Sequence, residues 1–194
     1  FKTLPPVEIL SGWAEAVKTA YIDNADMTET MLAADPLDIL EERMERFVTY
    51  CRDTKTRIVT TDPTEQGLRK ILNFGHTAGH ALETLMLERA TPVPHGIAVA
   101  HGILIALILS FDILALPQHH ITRYASWLKQ NYPVIPISCK DYDRICEIMT
   151  HDKKNSSRDF ANFVLLREIG TPKYDIPVTP AQLKAALDLY QTLI

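Results

Sequence analysis

The sequence predicts a mainly α-helical domain with one minor β-hairpin, and three observations support that fold class. Apolar residues recur at helical spacing through most of the 194 residues. The segment 96–116 is apolar on every side, which indicates a central helix buried by its neighbours. The segment 160–178 contains two short apolar runs, NFVLL and KYDIPV, around the turn sequence IGTP, which predicts the hairpin.

The individual helices are predicted from spacing and from boundary residues. Asp35 followed by Pro36 predicts an N-cap with proline at the first helical position. Thr179 and Gln182 form a capping-box pattern that begins the last helix. The pattern predicts the other helices over 7–22, 37–59, 68–90, 96–116, 119–131 and 139–150.

Composition and charge exclude several classes of protein. A net charge of -4 with no basic block argues against a nucleic-acid or anionic-membrane partner. The longest apolar stretch, 103–109, is much shorter than the roughly 20 residues of a membrane span. The 3 cysteines form no CxxC pair, which argues against a thiolate zinc site and suits the cytoplasm. The 7 glycines form no GxGxxG or P-loop, so we expect no self-contained nucleotide-binding domain in this chain.

Three histidines are candidates for a metal site. His76 and His80 are four residues apart on a predicted helix, so their side chains point the same way. His95 precedes the apolar helix, and a helix N-terminus favours the neutral imidazole that binds metal. The HxxxH spacing alone also occurs on ordinary helix surfaces and in cores, and the third histidine favours the metal. The histidines interpreted as structural or solvated are His101, His119, His120 and His151.

Charged residues provide further candidates, with an alternative for each. Glu15 and Lys18 share one face of the first helix, where spacing alone favours a surface ion pair over a metal ligand beside a substrate-binding cation. Arg69 and Asn73 lie one helical turn apart on the predicted helix, and together with His76 they could face one anion. Further cations for phosphate or carboxylate recognition are Lys55, Lys153 and Lys154, of which the last two also suit a solvated charge run.

Four segments together resemble the C-terminal domain of the 3-dehydroquinate synthase family. SGWAEAVKTA is similar to the family's Gly-x-Ala-Glu-x-x-Lys motif, and EQGLRKILNFGHTAGHALE is similar to its most characteristic stretch. PHGIAVAHG resembles the family's His-Gly-Glu-x-Val-x-x-Gly motif, and MTHDKKN with FVLLREIG resembles the late Asp-Lys-Lys segment and the following strand. The segments occur in the family's order and span the whole chain.

The resemblance implies an enzyme of the shikimate pathway of aromatic amino acid biosynthesis. The family converts 3-deoxy-D-arabino-heptulosonate 7-phosphate to 3-dehydroquinate and phosphate, a carbon–oxygen lyase reaction that uses zinc (with cobalt as an alternative) and NAD. By position, the metal ligands would be Glu15, His76 and His95. Glu65 and His80 would be the catalytic residues that handle protons.

The resemblance also implies binding residues and missing parts. We expect residues 1–194 to be one C-terminal domain, an inactive fragment by itself, whose cleft is completed by an N-terminal NAD-binding α/β domain. Thr3 and Ser11 would lie near NAD, and Lys18 would contact the phosphorylated sugar acid near the metal. A homodimer is implied as well. The other substrate-binding residues would be Lys55, Arg69, Asn73 and one or both of Lys153 and Lys154.

Two departures from the family pattern leave other functions open. Ile97 stands where many members have Glu, and His101 stands where an apolar residue is usual. These differences suit either a retuned pocket or a related sugar-phosphate cyclase. A metal-dependent polyol or alcohol dehydrogenase of the same superfold and a non-catalytic helical module are the remaining alternatives.

Overall fold

A computed structural model describes residues 3–150 and 160–194 of the chain. Within them, helices surround one central helix and a two-stranded antiparallel sheet packs against it, as the sequence predicts. The α-helices are α1 (Pro6–Asp23), α2 (Ala25–Leu32), α3 (Glu41–Thr61), α4 (His76–Glu88), α5 (His95–Leu114), α6 (His119–Asn131), α7 (Tyr142–Thr150) and α8 (Pro180–Leu193). Short 3-10 helices cover Leu68–Asn73 and Cys139–Asp141, and the strands are β1 (Ala161–Glu168) and β2 (Thr171–Val178).

The central helix α5 organises the core, because its residues are buried continuously from Gly96 to Ser110. It contacts α1, α4, α6, α8 and β1. By length and composition α5 could cross a membrane, but 78% of its apolar window is buried inside the protein, which is typical of a core helix. The Ser110 hydroxyl accepts a hydrogen bond from the Leu166 amide at 2.9 Å and so joins α5 to β1.

Glycines allow three helix backbones to meet at one end of α5. A Cβ at Gly102 would lie 2.1 Å from the carbonyl oxygen of Gly75 and 2.6 Å from the amide nitrogen of Gly79, so α4 and α5 pack in backbone contact. A Cβ at Gly96 would lie 2.0 Å from the carbonyl oxygen of Ser11, so α1 crosses the start of α5 equally closely. Larger residues at these positions would push apart the helices that carry the candidate site.

Two predicted helix boundaries are wrong. Asp35 does not cap α3, which begins at Glu41; its carboxylate instead accepts the Leu37 amide at 2.9 Å in a local Asx turn. The single helix predicted over 68–90 is interrupted, because Gly75 has φ +76°, and a left-handed residue ends one helical segment before the next begins. The short helix α2 is an unpredicted element, capped by the Asn24 side chain on the Met27 amide.

The hairpin and the last helix form as predicted. β1 pairs with β2 in antiparallel register, with Ala161 opposite Val178. The Gly170 turn donates its amide to the carbonyl of Tyr21 at 2.9 Å, which fixes the hairpin to the end of α1. Thr179 caps α8 in the predicted capping box with Gln182.

Candidate metal and substrate site

Three histidine rings meet where α4 and α5 are in backbone contact. His76 and His80 lie one turn apart on α4, and His95 is the first residue of α5. The ring centroids are 5.3 Å apart for His76 and His80, 5.3 Å for His76 and His95, and 5.4 Å for His80 and His95. One nitrogen from each ring lies within 4.8 Å of the others. We call these three residues the histidine cluster.

Glu15 reaches the histidine cluster from α1, although it is far away in sequence. Its Oε1 lies 3.3 Å from Nε2 of His76 and 3.7 Å from Nε2 of His95. That oxygen is buried and makes no well-oriented hydrogen bond. A buried carboxylate oxygen without a satisfied hydrogen bond is costly unless something else neutralises it. Glu15, His76 and His95, which the resemblance implies as metal ligands, therefore lie side by side.

Lys18 holds the other oxygen of the same carboxylate. Its Nζ donates to Glu15 Oε2 at 2.7 Å, and its side chain is only 7% exposed. The i,i+3 pair suggested by spacing does form, but Lys18 is buried and Glu15 half-buried beside the cluster, so it is not a fully exposed surface pair. Burial raises the pKa of Glu15, yet the adjacent His76 ring and Lys18 ammonium hold it well below its usual range. The carboxylate is therefore ionised at neutral pH, as a cation site requires.

The residues present fit a divalent cation. A carboxylate oxygen and imidazole nitrogens are ligands that suit zinc and related transition metals. Nδ1 of His76 lies 3.2 Å from the carbonyl oxygen of Phe74, which leaves Nε2 free toward Glu15. The ionised Glu15 carboxylate supplies the negative charge that such an ion needs. Its Oε1 lies among imidazole nitrogens and makes no satisfied hydrogen bond.

A cleft of about 510 Å³ opens beside the histidine cluster. Glu65 lies on its wall and accepts a hydrogen bond from Asn73 Nδ2 at 3.0 Å. Glu65 also adopts φ +57°, a strained conformation for a non-glycine residue, and such strain concentrates at functional sites. The lining residues are Glu65, Gln66, Lys70, Asn73, His76, Thr77, His80, Asn162, Phe163, Val164 and Asp175.

The loop that carries Glu65 is held by one carboxylate. Asp62 accepts the backbone amides of Gln66, Gly67 and Arg69, at 3.0, 2.8 and 3.0 Å. These bonds place the pKa of Asp62 below its usual range. The Arg69 guanidinium donates to the carbonyl of Pro63 at 2.8 Å and does not line the cleft, so it does not join Asn73 and His76 in the way that a continuous helix predicts.

A second cavity, of about 400 Å³, is lined by Glu15 and Lys18. Lys55 lines it from α3, next to Lys18, while apolar side chains such as Trp13 and Phe47 form much of the remaining wall. Lys18 and Lys55 are thus brought together, but in a different cavity from Asn73 and His80. His76 and His80 line the first cavity, whereas Glu15 lines the second.

The remaining predicted site residues fall into three groups. Ser11 accepts the Gly96 amide on its hydroxyl at 3.0 Å, which joins α1 to the start of α5. Thr3 is exposed in a turn before α1. Lys153 and Lys154 lie outside the described residues.

Sequence reasoning missed Lys70, which lines the cleft and pairs with Asp175 at 2.5 Å. One basic residue beside Arg69 gives no distinguishing signal in the sequence.

The two departures from the family pattern lie in the core. Ile97 is 1% exposed. His101 is 1% exposed, with Nε2 at 2.9 Å from the Pro133 carbonyl and Nδ1 at 2.7 Å from the Tyr190 hydroxyl. Burial lowers the pKa of His101 to about 4, although the Pro133 carbonyl opposes that change. His101 is therefore a neutral, fully hydrogen-bonded core residue, as first interpreted.

The curated relatives of this chain by sequence are 3-dehydroquinate synthases. The 3-dehydroquinate synthase of Parabacteroides distasonis is 37% identical over 190 residues, which cover 98% of this chain and 54% of that protein. The 3-dehydroquinate synthase of Oceanobacillus iheyensis is 39% identical over 174 residues, which cover 88% of this chain and 46% of that protein. The chain thus spans about half the length of the curated relatives that it matches.

Solved structures share the fold at lower sequence identity. A 2-deoxy-scyllo-inosose synthase complexed with carbaglucose-6-phosphate, NAD+ and Co2+ superimposes with a TM-score of 0.75 at 23% identity, covering 96% of this chain and 53% of that one. The 2-epi-5-epi-valiolone synthase of Streptomyces hygroscopicus, with NAD+ and Zn2+ bound, has a TM-score of 0.68 at 19% identity, covering 98% of this chain and 53% of that one. The family described as 3-dehydroquinate synthase C-terminal matches residues 12–155, and this chain belongs to that family.

Proposed function

We propose that this chain is the metal- and substrate-binding half of a 3-dehydroquinate synthase. The whole protein, meaning this chain together with the N-terminal half that its relatives carry, would convert 3-deoxy-D-arabino-heptulosonate 7-phosphate to 3-dehydroquinate and phosphate. The observation that carries the proposal is the convergence of Glu15, His76 and His95, from three separate helices, around one buried carboxylate oxygen.

Glu15, His76 and His95 would hold a divalent zinc or cobalt ion. When bound, such a cation acts as a Lewis acid and lowers the pKa of a substrate hydroxyl. Two cyclases of the same fold were solved with NAD+ and either Co2+ or Zn2+ bound, which supports NAD and a divalent metal as the cofactors here. The NAD site would be completed by the N-terminal half, with Thr3 and Ser11 on this side of it.

Proton handling would belong to Glu65 and His80, which face the same cleft. Asn73 Nδ2 donates to Oε1 of Glu65 and would orient that carboxylate, which would exchange a proton with the substrate. His80 is exposed at the end of the histidine cluster and can exchange a proton with bound substrate through its ring nitrogens.

The cations of this chain would bind and orient the phosphorylated acid. Buried Lys18 lies beside the metal ligands, and Lys55 lies next to it. Arg69 would turn from the Pro63 carbonyl toward substrate, because an arginine fork suits carboxylate or phosphate. Lys153 and Lys154 would assist. Holding the substrate in one geometry accounts for much of the rate that such a site can supply.

Substrate turnover by the whole protein tests the proposal. We expect phosphate release from 3-deoxy-D-arabino-heptulosonate 7-phosphate, loss of activity with chelator, and recovery with zinc. Turnover of glucose 6-phosphate instead would identify another sugar-phosphate cyclase, which the neighbouring folds make the second candidate. Net NADH production from a simple polyol would identify a dehydrogenase. The 194-residue chain alone should show no turnover, because the proposed N-terminal half would supply the rest of the cleft.

A further inference from the structure

The carboxylate of Glu83 contacts His95 on the side away from Glu15. Nδ1 of His95 lies 3.0 Å from Glu83 Oε2, while Nε2 of the same ring faces Glu15 Oε1 at 3.7 Å. The imidazole is thus bracketed by two carboxylates that come from α1 and α4. We propose that Glu83 is a positioning residue, which orients His95 so that Nε2 points toward the metal; this inference rests on the proposed function.

The chemistry of imidazole gives Glu83 that role. A neutral imidazole carries one N–H and one free lone pair, and a carboxylate accepting from Nδ1–H fixes the tautomer that leaves the lone pair on Nε2. The same contact limits ring rotation and raises the basicity of the metal-binding nitrogen. His76 has a comparable arrangement, since its Nδ1 lies near the carbonyl of Phe74. His95 has no such carbonyl partner among the described contacts, and Glu83 takes that place.

The position of Glu83 on α4 supports the proposal. His76, His80 and Glu83 stand at i, i+4 and i+7 on this helix, so they form one stripe facing the start of α5. Helix α4 therefore carries the proposed ligand His76 together with Glu83, which would orient the proposed ligand His95 on α5. Backbone contact between α4 and α5, allowed by Gly79 and Gly102, holds this stripe against α5.

A purely structural role for the Glu83–His95 pair would be small. The side chains are 37% and 43% exposed, and pairs this exposed add little to stability. The free energy of unfolding of metal-free protein should therefore barely change when Glu83 is replaced. A large change in metal affinity would then report ligand orientation and not a loss of folding.

Zinc affinity of the whole protein, measured by competition with a chromophoric chelator, tests the proposal. We expect Glu83→Ala to weaken zinc binding by about 10- to 100-fold, the usual cost of losing an outer partner of a histidine ligand. Glu83→Gln keeps an acceptor oxygen and should recover part of that loss. The cobalt-loaded Glu83→Ala protein should show an altered visible absorption spectrum.

The matched control is Glu88→Ala on the same helix, because Glu88 pairs with Arg144 at the surface, at 2.5 Å. That variant should bind zinc as the unsubstituted protein does. If unsubstituted protein binds zinc and Glu83→Ala binds it within twofold, the positioning role is wrong while the proposed function stands. If unsubstituted protein binds no zinc, both are wrong. Thermal unfolding of the metal-free variants confirms that each is folded.

Discussion

Two histidines on the same helix have opposite surroundings. His101, six residues along α5 from His95, is buried and has both ring nitrogens satisfied by Pro133 and Tyr190. His95 is half exposed and faces a carboxylate oxygen that has no satisfied hydrogen bond. Residue type alone therefore does not indicate whether a histidine is structural or functional. A histidine whose hydrogen bonds are complete stabilises the core, whereas one beside an unsatisfied charge is available to a ligand.

The largest effect is expected when a proposed metal ligand is removed from the histidine cluster. His76→Ala in the whole protein should abolish zinc binding at the site. Turnover should fall further than the loss of about 10- to 100-fold that follows removal of a hydrogen-bond partner of a metal ligand. Chelator competition and phosphate release measure the two effects. The double variant His101→Leu, Tyr190→Phe serves as control and should keep zinc affinity. Equal losses in both proteins would remove the distinction between the two regions.

The next largest effect separates proton handling from metal binding. Glu65→Gln should lower turnover by about 100-fold or more, because a general acid–base group commonly contributes that much. Zinc affinity should stay unchanged, since Glu65 is not one of the proposed metal ligands Glu15, His76 and His95. Glu65→Gly should lose activity as well but gain stability, because glycine relieves the strain of φ +57°. Unchanged turnover in both variants would exclude Glu65 from the chemistry.

A pH titration of stability tests the core side of the comparison. Because burial lowers the pKa of His101 to about 4 from an ordinary 6.5, its contribution to stability is present above pH 6.5 and is lost as the pH falls toward 4. Between pH 7 and pH 5 the metal-free protein should lose about 2 kcal/mol of unfolding free energy through this residue. The double variant His101→Leu, Tyr190→Phe should lack that loss. Urea unfolding at both pH values measures it, and parallel profiles would contradict the assignment.

The smallest expected effect concerns exposed histidines. The rings of His119 and His120 lie 3.9 Å apart between centroids, tilted by 41°, at the start of α6. His119→Ala should change zinc affinity by less than twofold and stability by no more than about 0.5 kcal/mol, as is usual for a surface substitution. Chelator competition and urea unfolding measure both quantities. A marked loss of zinc would indicate a metal site that the histidine cluster does not contain.

Sequence reasoning predicted most of the fold because helical spacing and caps are local signals. The buried α5, the hairpin and the Thr179 cap depend on neighbouring residues and were confirmed. The break at Gly75 was missed, since a glycine within a helical pattern does not reveal its φ until α5 packs against it. Asp35 and Pro36 gave a convincing cap signal, but an Asx turn satisfied the same carboxylate.

The candidate site was predictable in its residues but not in its geometry. Motif resemblance indicated Glu15, His76 and His95, while spacing alone treated Glu15 as half of a surface pair. Their approach depends on backbone contacts at Gly96 and Gly102 between distant segments, which no local pattern encodes. The positions of the Arg69 and Lys55 side chains were equally unpredictable. Arg69 bonds to the carbonyl of Pro63 in a loop, and Lys55 faces a cavity formed by packed helices.

Anomalous diffraction at the zinc absorption edge, from crystals of the protein grown with zinc, shows directly whether Glu15, His76 and His95 bind the metal. We expect one strong peak within bonding distance of Glu15 Oε1 and of Nε2 of His76 and His95. A peak at another site, or no peak beside Glu15, would contradict this expectation.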